Sequence, residues 1–102
     1  MDNVIFAYTD KQAVEDGVLV DTSQLLGHLG INRVTRAVWD EFVVDMGKGL
    51  VQDVTKLLRI AEKVKSVKPD DGWYVYKDEN IQIWCIPNET GNGLTLLFPE
   101  DY

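Results

Sequence analysis

Two periods divide the hydrophobic pattern of this chain. Up to Pro69-Asp70-Asp71-Gly72, a run of turn residues, apolar positions recur every three or four residues; after it they recur every second residue. The longest helical stripe is Leu50, Val54, Leu57, Leu58, Ala61 and Val64, which predicts an amphipathic helix with Lys56, Arg59 and Lys63 on its solvent side. Before it, Val38, Trp39, Phe42, Val43 and Met46 share a helical face and predict a helix starting at Thr35 and broken by Gly47-Lys48-Gly49. Thr22 or Ser23 can cap a shorter helix through Leu25, Leu26 and Leu29, which Gly30 ends.

At the N-terminal end, residues 4–8 form an apolar run that reads as a short strand. Thr9-Asp10-Lys11-Gln12 is a capping-box pattern, continued by Ala13, Val14 and Glu15 and stopped by Gly17 in the left-handed conformation. Residues 18–20 read as a strand. Beyond the turn at Pro69, residues 73–77, 81–86 and 94–98 are β-rich, separated by Asp78-Glu79-Asn80 and by a loop over 87–93. Short connections favour an antiparallel meander. The expected fold is a single α+β domain over residues 1–102, its helical N-terminal part packed on a C-terminal three-stranded antiparallel meander.

Charge changes the picture more than bulk composition does. The chain has 102 residues, 45% of them hydrophobic, and a formal charge of −7. That balance opposes binding to duplex nucleic acid and to an anionic membrane. The charge is uneven: residues 56–68 hold five bases (Lys56, Arg59, Lys63, Lys65, Lys68) against Glu62 alone, an island in an otherwise acidic chain. No stretch reaches the roughly 18 apolar residues of a membrane span. The first residues lack a signal peptide's basic region and long apolar core, so the expected compartment is the cytoplasm.

Little catalytic chemistry is legible. His28 has no second histidine to complete a metal site, and the single cysteine, Cys85, lies in Trp-Cys-Ile inside a predicted strand, where a thiol behaves as a small hydrophobe. The acidic pairs, such as Asp40-Glu41 and Asp78-Glu79, are adjacent in sequence, so their side chains point apart and do not form a carboxylate dyad. Gly47-Lys48-Gly49 lacks the rest of a phosphate-binding loop and reads as an inter-helix turn. No enzyme, metal or cofactor is expected.

Tyr8-Thr9, Ala13, Asp16-Gly17-Val18-Leu19-Val20-Asp21 and Thr35-Arg36-Ala37-Val38-Trp39 carry a resemblance. In these roughly 45 residues the chain resembles a family of short bacterial proteins, frequent on plasmids and phages, with a YT…DGVLVD segment followed by VTRAVW. The resemblance brings no established activity and no catalytic residue. It implies an accessory factor of a mobile element.

Three readings of function follow. The leading one is a non-enzymatic protein-binding factor, an anti-defence inhibitor by analogy alone, engaging a protein partner or a second copy of itself. Its expected contact residues are the basic face Lys56, Arg59 and Lys63 and an aromatic patch formed by Tyr74, Tyr76 and Trp84 on one side of the meander. The alternative is a small-molecule or nucleotide-binding domain built around Asp21, Arg36 and Lys48. The third is a domain with no ligand, or an enzyme whose residues carry no recognisable pattern.

Overall fold

A computed structural model describes residue 14 and residues 17–46, 51–88 and 91–102. Strand β1 (Leu19–Asp21) leads through α1 (Ser23–Leu26) and a 3-10 turn (Gly27–Leu29) to β2 (Ile31–Thr35). There follow α2 (Arg36–Phe42), a hairpin of β3 (Val44–Met46) and β4 (Val51–Asp53), and α3 (Thr55–Ser66). The chain finishes with β5 (Tyr74–Lys77), β6 (Gln82–Pro87), β7 (Leu94–Leu97) and a 3-10 turn at Pro99–Asp101. The expected strand at residues 4–8, the capping box at Thr9 and the Gly47-Lys48-Gly49 turn lie outside the described residues.

The fold mixes helix and strand, with one correction to the expected arrangement. The antiparallel meander β5–β6–β7 does form, but it is part of a five-stranded mixed sheet in the order β1-β2-β7-β6-β5. Strand β2 adds to the meander in parallel with β7, and β1 pairs antiparallel with β2. The N-terminal part therefore supplies strands as well as helices.

One face of the sheet carries the three described helices. Leu26 of α1, Val38 of α2 and Leu57, Ile60, Ala61 and Val64 of α3 form one buried cluster with Ile31, Val34, Ile83, Cys85 and Leu96 of the sheet. Ile31 and Val34 are three residues apart, yet both face this core. A register irregularity between Ile31 and Arg33 supplies the extra residue that reverses the alternation.

Each helix starts on a local polar device. Thr35 caps α2, its hydroxyl accepting from the Val38 amide (3.4 Å). At α1 the expected Thr22 or Ser23 cap is replaced by Asp21, whose Oδ1 accepts from the Ser23 amide (2.9 Å) and the Ser23 hydroxyl (2.7 Å). Asp53 repeats this at α3, accepting from the Thr55 amide (2.9 Å). Such Asx turns satisfy an amide that has no helical partner. Consequently α3 begins at Thr55 rather than near residue 50, and residues 44–46, expected to continue α2, pair instead with 51–53. Gly17 (φ 77°) and Gly30 (φ 77°) adopt the left-handed conformation expected of helix stops.

The β2–β7 junction is tied at both ends. At one, Asn88 Nδ2 donates to Asn32 Oδ1 (2.6 Å), while Thr95 Oγ1 donates to Asn88 Oδ1. At the other, Thr35 Oγ1 donates to Asp101 Oδ2 (2.7 Å), which also accepts the Phe98 amide (3.2 Å).

Two predictions test this packing. Leu57→Ala, which empties a fully buried position, is expected to cost about 2–5 kcal/mol in chemical denaturation; a loss under about 0.5 kcal/mol, the scale of ordinary surface changes, would put α3's stripe outside the core. Gly93 has φ 150°, and a Cβ there would lie 2.6 Å from Asn32 Oδ1. Gly93→Ala is therefore expected to lower stability by about 1–3 kcal/mol, the scale of a strained backbone position. A variant with unchanged stability would show that the asparagine knot yields without cost.

Candidate functional site: the sheet face opposite the helices

The other face of the meander follows from strand alternation. Val75, Trp84 and Leu97 are register partners across β5, β6 and β7, and Ile86 lies opposite Thr95 one step along. Ile86 and Leu97 are buried and form a second small cluster, against which Trp73 and Trp84 pack.

Two turns deliver the remaining members. Asp71 (φ 53°) and Gly72 (φ 83°) are both left-handed, as a type I′ turn requires, and Asp70 and Trp73 exchange backbone hydrogen bonds across them (2.8 and 2.9 Å). This fixes Trp73 at the start of β5. The C-terminal 3-10 turn, anchored by Asp101 on Thr35, carries Tyr102 to the same place. The three rings meet at centroid distances of 5.7 Å (Trp73–Trp84), 5.3 Å (Trp73–Tyr102) and 5.8 Å (Trp84–Tyr102), tilted or edge-on. Such geometries suit the quadrupoles of aromatic rings. Among the described residues, the exposed large hydrophobics are Val75 (46%) and Tyr102 (37%), and both border Trp84. The Trp84 Nε1 donor is buried there without an acceptor.

Trp84 thus lies in an aromatic patch, but Tyr74 and Tyr76 do not share it. Their register partners are Cys85 and Ile83, so both tyrosines face the helices. Lys65 Nζ sits 4.0 Å over the Tyr74 ring, and the Tyr76 hydroxyl donates to Asp78 Oδ2 (2.9 Å). The cause is a single residue of register. A three-residue turn at Asp78-Glu79-Asn80 would set Tyr74 opposite Trp84. Lys77 instead pairs with Gln82, leaving four residues in the loop, and Val75 takes that place. Trp73 and Tyr102 were missed because their positions depend on the two turns rather than on strand period.

Lys56, Arg59 and Lys63 are exposed on the solvent side of α3, remote from the aromatic face. Asp21 forms an ion pair with Arg33 (3.3 Å) and Arg36 one with Asp40 (3.3 Å). Lys48 lies outside the described residues. Asp21 borders a depression of about 270 Å³ with Ser23, Leu25 and Trp39, and a wider groove of about 630 Å³ runs past Asp40, Ile81, Phe98 and Glu100. Arg36 lines neither of these two, so neither brings it together with Asp21. Trp39 is half-buried and packs against the helix-side core.

Cys85 is fully buried, and desolvation pushes its thiol up to about 12, far from a nucleophilic thiolate. His28 is exposed on the 3-10 turn before β2. Among the described residues no group of three His, Cys, Asp or Glu side chains is placed to hold a metal ion. No helix of the described residues is long and apolar enough to cross a membrane. Comparisons with family models, curated proteins and solved structures give no match to this chain.

Asp78 locks the loop that sets this register. Its carboxylate accepts from the amides of Asn80 (2.8 Å) and Ile81 (3.0 Å) and from the Tyr76 hydroxyl. These bonds, that from Asn80 foremost, hold its pKa below the ordinary 3.8. A depressed carboxylate contributes stability above its unfolded pKa and loses it as pH falls through the folded value. The denaturation midpoint is therefore expected to fall below about pH 4. It should fall less steeply in Asp78→Asn, and superimposable acid limbs would contradict the assignment.

Proposed function

We propose that this chain is a non-enzymatic protein-binding module, an accessory factor that works by covering a site on another protein. The observation that carries the reading is the placement of Val75 and Tyr102, exposed beside Trp73 and Trp84 on the sheet face opposite the described helices. Rigid aromatic groups around an exposed aliphatic side chain make the kind of anchor that protein interfaces favour. The suppressed thiol of Cys85 supports a binding rather than a nucleophilic role. Service to a mobile element, as an inhibitor of a host defence, rests on the resemblance carried by Tyr8-Thr9, Ala13, Asp16–Asp21 and Thr35–Trp39.

Affinity capture from bacterial lysate, read by mass spectrometry, tests the proposal. A specific protein is expected on the wild type, with retention at least about tenfold lower on Val75→Lys, as at an interface anchor. Circular dichroism controls for folding. Capture that survives Val75→Lys but is lost when Lys56, Arg59 and Lys63 are reversed to Glu would move the interface to α3 and overturn this site.

A further inference from the structure

Strand β5 ends the sheet, and no described strand pairs with its outer side. Along an antiparallel edge, alternate residues turn their N–H and C=O groups outward, which makes the edge a template for another extended chain. Val75, the more exposed of the two exposed large hydrophobics among the described residues, stands on this edge beside the Trp73–Trp84–Tyr102 cluster.

The charge around the edge selects what can add to it. Asp70 and Asp71 lie just before β5 and Asp78 and Glu79 just after it, all four exposed. Against them the strand itself carries Lys77 and Lys68 stands exposed two residues before Asp70, while Lys65 is directed at the Tyr74 ring on the helix side and Lys63 lies near Asp78. A second copy pairing antiparallel through β5 would bring Asp70 and Asp71 of each chain up to Asp78 and Glu79 of the other. Like charges so opposed are repulsive, and the chain's net −7 adds to the penalty. An extended segment with an apolar centre and a basic residue at each end meets the opposite situation.

We infer that the partner engaged by the aromatic face contributes an extended basic–apolar–basic segment that adds to β5 as a sixth strand. Its backbone would take up the outward groups of β5, and its central apolar side chains would pack on Val75 and the neighbouring rings. The inference rests on the protein-binding reading above and names the chemistry of the partner.

The probe is a synthetic peptide of alternating Val and Thr with two lysines at each end, set beside the same peptide with glutamates at its ends. Amide shifts and hydrogen exchange of the full chain are read by NMR. The lysine-ended peptide is expected to protect amides of residues 74–77. The glutamate-ended peptide should leave them unchanged. The triple change Asp70→Asn, Asp71→Asn, Glu79→Gln should weaken binding about tenfold and remove most of its salt dependence; Asn at 71 keeps the left-handed backbone accessible.

Equal binding of both peptides would overturn the inference, as would no protection at millimolar peptide. So would β5 protection that grows with protein concentration in the absence of peptide, which would identify a second copy as the occupant. A captured partner that depends on Val75 but leaves the amides of residues 74–77 exchanging freely would refute strand addition while leaving the protein-binding reading in place.

Discussion

Beyond the end of β2 the chain builds α2, the β3–β4 hairpin, α3 and strands β5 and β6 before it returns to lie beside β2 as β7. Closing so long an excursion has an entropic cost that local contacts cannot offset. The offset comes from burial on both sides of the junction. Ile31, Val34 and Leu96 are fully buried beneath the helices, and Thr95 and Leu97 are buried on the opposite side. The asparagine knot and the Thr35–Asp101 hydrogen bond then hold the two strands in one register. The same aspartate that closes the junction also brings Tyr102 onto the two tryptophans. Packing in the middle of the sheet and the composition of its outer face are thus mechanically one problem.

What was legible in the amino-acid pattern and what was not divide along physical lines. The α3 stripe was readable because Leu57, Ala61 and Val64 repeat over enough turns to exclude a strand, and the meander because its alternation persists. Strand β2 escaped notice because its irregularity spaces Ile31 and Val34 by three, which removes the period of two. The β3–β4 hairpin was hidden since Met46 stands four residues from Phe42, a helical interval, and three-residue strands are too short to contradict it. Of the aromatic patch, Trp84 was found and its neighbours were misassigned, because parity across a hairpin depends on one residue of loop length.

The two sides of the molecule differ in chemistry as well as shape. The basic island lies along α3, where Lys56 and Arg59 stand near Asp53 and Lys63 near Asp78. The carboxylates that bound the sheet edge stand before and after β5, with Lys63 near Asp78 and Lys77 on the strand itself. A protein organised this way presents a fixed polarity to any partner. Electrostatic steering would orient an incoming basic segment toward the edge before short-range contacts form.

Cys85 draws a practical consequence from the depth of the core. Its sulfur lies between the sheet and α3 with no exposed surface, and its proton is held far above neutral pH. A thiol reagent in solution can reach it only when the layer of helices lifts from the strands, so the speed of chemical labelling measures how often that happens. The chain therefore carries its own clock for breathing motions, readable without adding a dye or altering a residue.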